Sequence, residues 1–294
     1  MYKEINGQVL KDHLLKTLQL RCSEIERIYG RRPGLAVILV GENAASQAYV
    51  GMKKKACAQI GIHSFEYLLS PDQGEESLLH LLDELNSKQE VDGILLQLPL
   101  PKGFDEQKML EAILPEKDVD GFHPVNVGRL LLGLPCLRAC TPYGVMKLLE
   151  HYAIQTEGKH VVILGRSNIV GKPLAAMLMQ RTNPGNATVT ICHSKSENLK
   201  DITLSADILI AAIGQAHFVR EDMVKTGAVV IDVGINRVED FSIEKGYRLV
   251  GDVDFTSVSK QASLITPVPG GVGPMTIAML MENTVQAFLA KQEK

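Results

Sequence analysis

Short apolar runs rich in β-branched residues alternate with helix-like stretches along almost the whole of this 294-residue chain. In the first half, the runs LAVILV (35–40) and VDGILLQLPLP (91–101) are separated by helix-like stretches at 46–56 and 77–86. Parallel strands need long crossover connections, which are usually helices. This alternation of strand-like runs and helix-like stretches therefore favours a mostly parallel sheet covered by helices.

The same alternation begins again after a helix-like segment at 143–154, which predicts a second domain. This half has the pattern of a doubly wound nucleotide-binding domain. The final segment, 274–292, starts with a proline suited to a first helical turn and carries an apolar stripe that should pack onto the fold. The strand-like runs of the second half are 159–167, 187–194, 206–214, 227–234 and 263–267.

Composition excludes several classes of protein. Hydrophobic residues make up 45%, charged residues 22%, and the net charge is -3, so the chain is globular and has no basic field that would attract nucleic acid. No apolar run reaches the roughly 18 residues of a membrane helix, and the N-terminus has no signal-peptide pattern. The 5 cysteines and 8 histidines show no zinc-ligand spacing, so we expect no metal, free thiols and a cytoplasmic location.

The helix-like stretch SQAYVGMKKKA (46–56) places three polar groups on one face. Ser46, Tyr49 and Lys53 are spaced three and four apart, and Lys54 and Lys55 crowd positive charge beside Lys53. A solvated basic helix gives the same pattern. From this stretch alone, both interpretations stay open.

The stretch VVILGRSNIVGKPLA (161–175) is typical of a strand, a glycine turn and a helix. Such a turn aims backbone N–H groups at a phosphate, and Gly165 and Gly171 allow close backbone approach. The spacing is G-x-S-x-x-x-G rather than the dinucleotide fingerprint G-x-G-x-x-G. An ordinary glycine turn is therefore the alternative.

The end of the following strand indicates which dinucleotide would bind. An acid at this position pairs with a free ribose 2′-hydroxyl, but the segment CHSKS (192–196) has hydroxyls and a lysine instead. With Arg166 nearby, Ser194 and its neighbours suit a 2′-phosphate. This favours NADP over NAD, provided that the strand register is as predicted.

Three further segments each have a functional and a structural interpretation. The loop LITPVPGGVGPMT (264–276) could lie against a flat ligand or be a rigid connection. Asp118 and Asp120 could accept hydrogen bonds from an amino-substituted ring or only form a turn. Gln97, at the end of an apolar strand, either caps the structure or holds a functional group.

Seven segments together resemble one family, the bifunctional FolD-type methylenetetrahydrofolate dehydrogenase/cyclohydrolases of one-carbon metabolism, which serves purine biosynthesis. They appear in the family's order from about residue 43 to residue 279. Ala139 and Ala216 stand where the family often has proline. The seven segments are SQAYVGMKKKA, DGILLQLPLP, KDVDGFHPVN, CTPYGV, GRSNIVGKP, VVIDVGIN and TPVPGGVGPMT.

The resemblance implies two α/β domains flanking a cleft. The folate-binding catalytic domain would comprise 1–146 and a C-terminal helix at 275–294, and a Rossmann-like NADP-binding domain would comprise 147–274. A homodimer through the second domain and a small-molecule folate substrate are further implications. Neither nucleic acid nor a membrane is implied as a partner.

The resemblance also implies roles for individual residues. Lys53 would be the central catalytic residue, Tyr49 would stack along the folate beside Ser46, Gln97 would hold Lys53, and Asp120 would grip the pterin ring. The loop against substrate and nicotinamide would contain Pro269, Gly270 and Gly271. The NADP contacts would be Thr141, Gly165, Arg166, Ser167, Ser194, Ile235 and Thr276.

The implied chemistry suits these residue types. Hydride transfer from methylenetetrahydrofolate to NADP needs chiefly two correctly stacked rings. Hydration of the resulting methenyl cation to 10-formyltetrahydrofolate needs a base, and burial, Lys54, Lys55 and the cation would all favour a neutral Lys53 amine. A dehydrogenase with weak cyclohydrolase activity, and a folate- or nucleotide-sensing protein without turnover, are the alternatives.

Overall fold

The computed structural model describes residues 2–243 and 246–293. The chain divides into two compact units, which we name by their sheets. The three-stranded unit comprises Asp12–Cys140 and Ile277–Lys294, and the six-stranded unit comprises Met1–Lys11 and Thr141–Thr276. The strands are β1 (Lys3–Glu4), β2 (Gly34–Val40), β3 (His63–Leu69), β4 (Gly93–Leu96), β5 (His160–Leu164), β6 (Thr188–Cys192), β7 (Ile208–Ala211), β8 (Val229–Asp232), β9 (Asn236–Glu239), β10 (Tyr247–Val250) and β11 (Leu264–Ile265).

Helices alternate with strands over much of the chain, except that α4, α5 and α6 follow one another and, within the described residues, no α-helix separates the strands from β7 to β10. They are α1 (Gly7–Tyr29), α2 (Ala44–Ile60), α3 (Gly74–Ser87), α4 (Glu106–Glu111), α5 (Pro124–Leu131), α6 (Cys140–His151), α7 (Gly171–Leu178), α8 (Leu199–Leu204), α9 (Phe255–Val258) and α10 (Val272–Gln292).

The three-stranded sheet has the order β3-β2-β4 and is parallel throughout. Every residue of β2 is buried, which explains why its sequence is an unbroken apolar run. Helix α3 packs on this core through Leu78, Leu82 and Leu85, whose spacing puts them on one face. Burial of each leucine contributes about 1.5–3 kcal/mol. Strand β4 ends at Leu96, so it is shorter than the strand-like run 91–101. The two prolines that follow Gln97 have no N–H group to donate to a neighbouring strand.

The six-stranded sheet has the order β1-β11-β8-β7-β5-β6, with parallel neighbours throughout. The chain runs from β5 outward to β6 and then returns to β7 on the other side of β5. The strand order therefore reverses between β5 and β7, and this switch point is where doubly wound sheets bind ligands. The predicted doubly wound parallel fold is confirmed.

Three features were not predicted from the sequence. The first is β3, which is mostly unburied and lacks the continuous apolar run of β2. Strand β1 has only two residues, too few to show a periodicity, yet it pairs with β11. Strands β9 and β10 form an antiparallel pair of four residues each, and the arginine in each strand interrupts any apolar run of the kind that a buried strand shows. In addition, α10 is not simply amphipathic, because the consecutive residues 277–281 are all buried. Burial on all sides suits its nearly continuous apolar sequence.

Candidate active site

A buried lysine and a glutamine amide meet in the three-stranded unit. Lys53 lies on α2 and is only 8% exposed, and Gln97 directly follows β4. Lys53 Nζ donates a 2.9 Å hydrogen bond to Gln97 Oε1, and Gln97 Nε2 donates to the Leu98 carbonyl oxygen over 2.7 Å. Because the second bond occupies the amide nitrogen, the amide turns its oxygen toward the lysine. The structure thus holds the amine with a neutral acceptor rather than a carboxylate.

The two lysines that follow Lys53 are less important for its environment than the sequence predicts. Lys54 is exposed and forms an ion pair with Glu66 at 2.8 Å. Lys55 is exposed as well. Glu66 therefore compensates the charge of Lys54, and water screens the charges of both exposed lysines.

The two aspartates of the loop 116–123 have different environments. Asp118 is buried and accepts hydrogen bonds from Gly121 N (3.1 Å), His123 N (2.8 Å) and Asn126 Nδ2 (2.9 Å), so it holds the turn together. Burial raises the pKa of Asp120 to about 6, although the positive charge of Lys53 opposes the shift. The structure therefore brings Lys53, Gln97 and Asp120 together, and the turn-forming interpretation applies to Asp118.

Two further residues, neither of them predicted from the sequence, hold Asp120 in place. Cys140 lies beside Asp120, and its Sγ donates to the Val119 carbonyl oxygen over 3.3 Å. Burial raises the pKa of the Cys140 thiol well above its usual value, so it stays protonated. Asn283 is fully buried and donates from Nδ2 to the Val119 and Arg138 carbonyl oxygens, each at 2.8 Å. An asparagine within the apolar sequence of α10 was the available signal, because buried amides need partners.

Ser46 and Tyr49 lie on the same helix as Lys53. Ser46 is 5% exposed, whereas Tyr49 is 39% exposed. Tyr49 precedes Lys53 by one helical turn, so its ring is available to a ligand beside the amine. An exposed aromatic ring of this kind offers a stacking surface.

In the six-stranded unit, two glycines form the turn between β5 and α7. Gly165 has φ +116°, and a Cβ there would lie 2.2 Å from the Ala212 carbonyl oxygen. A Cβ at Gly171 would lie 2.2 Å from the Gly165 carbonyl oxygen. Ser167 Oγ accepts a 3.1 Å hydrogen bond from Val170 N, which fixes the turn before α7. The turn sits at the β5/β7 switch point, and its tight backbone is of the kind that a dinucleotide requires.

The chain places Arg166 and Ser194 at neighbouring strand ends. Strands β5 and β6 pair in parallel with Leu164 opposite Cys192, and Gly165 N donates to the Cys192 carbonyl oxygen over 2.9 Å. Both Arg166 and Ser194 are exposed at this carboxyl edge. This is the strand register on which the 2′-phosphate interpretation depends. A guanidinium and a hydroxyl at adjacent strand ends fit a phosphate.

The loop that precedes α10 packs against the start of α1. The Gly270 carbonyl oxygen accepts from Gly7 N (2.9 Å) and Gln8 N (3.2 Å), and Gly271 N donates to the Pro267 carbonyl oxygen (2.9 Å). A Cβ at Gly7 would lie 1.8 Å from the Gly271 carbonyl oxygen, so only glycine fits there. Pro269 lies in this loop, whose backbone is thus fixed from both sides.

The remaining predicted cofactor contacts lie in the same unit. Thr141 Oγ1 and Thr276 Oγ1 share a 2.9 Å hydrogen bond that joins α6 to α10. Ile235 follows β8 and is 45% exposed, so it presents an apolar surface. A cluster of three or more His, Cys, Asp or Glu side chains that could hold a metal is absent from residues 2–243 and 246–293.

Within the described parts of the chain, none of the helices has both the length and the apolar character that crossing a bilayer requires.

Comparison with known proteins agrees with this geometry. A bifunctional FolD protein of Chlorobium chlorochromatii is 54% identical over 286 residues, which cover 97% of each chain. The crystal structure of the FolD methylenetetrahydrofolate dehydrogenase/cyclohydrolase of Campylobacter jejuni superposes with a TM-score of 0.92 at 49% identity and 100% coverage of both chains. The enzyme of Trypanosoma brucei, complexed with NADP cofactor and inhibitor, gives a TM-score of 0.93 at 41% identity, covering 100% of this chain and 99% of the other.

Two family models cover the halves of the chain that carry the two groups of residues described above. The tetrahydrofolate dehydrogenase/cyclohydrolase catalytic domain matches residues 5–120, which include Lys53, Gln97 and Asp120. The NAD(P)-binding domain of the same enzymes matches residues 139–292, which include the glycine turn. The family resemblance of the seven sequence segments is confirmed: this chain belongs to the tetrahydrofolate dehydrogenase/cyclohydrolase family.

Proposed function

We propose that this chain oxidises 5,10-methylenetetrahydrofolate to the 5,10-methenyl form with NADP and then hydrolyses that product to 10-formyltetrahydrofolate. The observation that carries the proposal is the buried Lys53–Gln97 pair beside Asp120, within the part matched by the family's catalytic domain. A cyclohydrolase needs a proton acceptor next to the folate bridge, and the chain supplies one.

Lys53 is the base of the hydration step. Water adds to the bridging carbon of the methenyl cation and loses a proton to the Lys53 amine. The bond from that carbon to N5 then breaks, and N5 takes a proton. The new hydroxyl loses its proton and becomes the formyl carbonyl. Overall, one water is consumed and one proton is released. Gln97 Oε1 accepts a hydrogen from the amine and so directs the nitrogen lone pair toward the water.

Asp120 binds and orients the pterin ring. Its ionised carboxylate accepts from the amino group and ring N–H of the pterin, which a carboxylic acid does less well. Tyr49 stacks along the folate, and Ser46 contributes to the same substrate site. The backbone loop containing Pro269, Gly270 and Gly271 lies against the substrate.

The residues of the six-stranded unit fit NADP. The glycine turn at Gly165 permits close backbone approach, and Arg166 and Ser194 supply a cation and a hydroxyl for the 2′-phosphate. The structure of the Trypanosoma brucei relative is of an NADP complex, which supports the same cofactor here. When bound, NADP supplies the hydride acceptor. The further contacts are Thr141, Ser167, Ile235 and Thr276.

Three further statements are part of this proposal. The chain forms a homodimer through its second domain, for which β6 offers an exposed sheet edge with Ile191 36% exposed. It works in the cytoplasm, where its free cysteines stay reduced. The division into functional domains, 1–146 with 275–294 and 147–274, stays a prediction.

A coupled time course with methylenetetrahydrofolate and NADP tests the bifunctional proposal. Reduced nicotinamide is followed by its absorbance, and methenyltetrahydrofolate is measured after acidification of samples. We expect reduced cofactor to rise while methenyl stays low, because hydration consumes it. Accumulation of methenyl in step with reduced cofactor would show a dehydrogenase without useful cyclohydrolase activity. Sedimentation of the purified chain as a monomer would contradict the dimer.

A further inference from the structure

Asp252 is a fully buried carboxylate whose oxygens are saturated by amide N–H groups. Oδ2 accepts from Ile213 N (2.7 Å) and Gly214 N (3.0 Å), and Oδ1 accepts from Gln215 N (2.8 Å) and Asn236 Nδ2 (2.9 Å). Four donors are the full capacity of a carboxylate. One side chain therefore fixes three consecutive backbone amides and the residue at the start of β9.

A second buried carboxylate holds the backbone on which Asp252 stands. Asp232, the last residue of β8, accepts from Asp252 N (3.0 Å) and Val253 N (2.9 Å). Two glycines make room for this arrangement. A Cβ at Gly234 would lie 2.2 Å from Asp252 Cγ, and a Cβ at Gly251 would lie 1.8 Å from Asp232 Oδ2. Such close approach requires glycine at both positions.

The backbone that Asp252 fixes lies at the ligand-binding edge of the six-stranded sheet. Residues 213–215 follow the carboxyl end of β7, and Asn236 directly follows Ile235 after β8. The β5/β7 switch point borders the first of these loops, since Gly165 approaches Ala212. Gly214 has no side chain and Gln215 is exposed, so side-chain burial at these two positions contributes little to holding this loop.

We propose that Asp252 is a positioning residue for NADP, whose carboxylate fixes the loops after β7 and β8 in their binding conformation without touching the cofactor. This inference rests on the NADP site of the proposed function. A loop ordered in advance binds more tightly, because its conformational entropy is not lost on binding. The same carboxylate also sets the position of Ile235 through the neighbouring Asn236.

The variant Asp252→Asn keeps the shape but replaces one accepting oxygen with an NH2 group that faces two N–H donors. We expect its dissociation constant for NADP, measured by calorimetry without folate, to rise about tenfold. Cyclohydrolase activity on methenyltetrahydrofolate, assayed without NADP, should stay within about twofold of wild type if the three-stranded unit stays folded. Asn236→Ala, which removes a single donor, is the milder variant, and its dissociation constant should rise about threefold.

Asp207→Asn is the matched control. Asp207 is also an aspartate of the six-stranded unit that accepts from a backbone N–H, namely that of His160 at 3.0 Å, and it pairs with Lys225 at 2.8 Å. It lies at the amino edge of the same sheet, just before β7. Its substitution should lower the melting temperature and leave the NADP dissociation constant unchanged.

Each outcome separates this inference from the proposed function. If the wild-type chain fails to bind NADP, both the proposed cofactor site and the positioning role of Asp252 are wrong. If the wild type binds NADP and both Asp252→Asn and Asn236→Ala bind it equally well, only the positioning role is wrong. Equal weakening by Asp207→Asn would show that general loss of stability, not positioning, lowers the affinity.

Discussion

Asp118 and Asp120 stand two residues apart in one loop, yet only Asp118 is bonded to its own turn while Asp120 lies near Lys53. Asp118 accepts from two backbone N–H groups of its own loop and from Asn126 Nδ2 of α5, and burial raises the pKa of Asp120 to about 6. The first carboxylate builds the turn, and the second is available to a substrate. These two aspartates thus have different surroundings, which fits the proposed role of Asp120 in folate binding.

The raised pKa of Asp120 predicts an acid limit to folate binding. The ionised carboxylate is lost as pH falls through about 6, so kcat/KM for methylenetetrahydrofolate should fall about tenfold per pH unit below that value. The measurement is the pH profile of kcat/KM at saturating NADP. Asp120→Asn should have a low value that lacks this acid limb, and an unchanged limb in the variant would show that another group titrates.

The same shift predicts that Asp120 lowers stability at neutral pH. Its folded pKa of about 6 lies above the ordinary value of 3.8, so the folded state loses stability as pH rises between these values. Asp120→Asn should therefore raise the free energy of unfolding at about pH 8 by about 1 kcal/mol, a figure reduced for partial solvent exposure. Urea denaturation measures it. The gain should vanish at about pH 3.5, and a variant that is less stable at both pH values would contradict the assignment.

Gln97 should matter for hydration more than for hydride transfer. Gln97→Glu places a carboxylate against Lys53 Nζ and holds the lysine as an ammonium ion, which cannot accept a proton. We expect the cyclohydrolase rate to fall about a hundredfold and the dehydrogenase rate by less than about fivefold. Separate assays of the two steps measure this. Equal losses would mean that Gln97 acts on folate binding alone.

Arg166 should set the preference for NADP over NAD. Arg166→Ala removes the cation proposed for the 2′-phosphate, so KM for NADP should rise at least about tenfold while KM for NAD changes little. Lys225→Ala is a matched control, because this cation pairs with Asp207 at the opposite edge of the same sheet. A parallel rise of both KM values in Arg166→Ala would place the guanidinium elsewhere on the cofactor.

The sequence alone predicts much of the fold but less of the site. The parallel sheets follow from apolar runs separated by helices, and the glycine turn follows from Gly165 and Gly171. Strand β1 has only two residues, which show no period, and the pair β9 and β10 is short, mostly unburied and lacks a continuous apolar run. The proximity of Lys53 to Gln97 depends on long-range packing, so only the family resemblance indicated it.

The choice between Asp118 and Asp120 also depends on the family resemblance. The pattern Asp-x-Asp gives no reason to prefer Asp120, because hydrogen bonding to the loop distinguishes it from Asp118 only in the folded chain. The structural role of Asn283, by contrast, is predictable from the sequence of α10. An amide among apolar helix residues indicates a buried hydrogen-bonding role, and the structure shows that it ties together the segments that carry Asp120 and Cys140.

The most direct measurement is the coupled time course of Lys53→Met beside Lys54→Met. Methionine replaces the apolar stem of Lys53 but has no amine, and Lys54 is an exposed neighbour paired with Glu66. We expect Lys53→Met to accumulate methenyltetrahydrofolate in step with reduced NADP, while Lys54→Met converts it to 10-formyltetrahydrofolate as the wild type does. Equal loss of both steps in Lys53→Met, or methenyl hydrolysis at the wild-type rate, would contradict the role of Lys53 as the base.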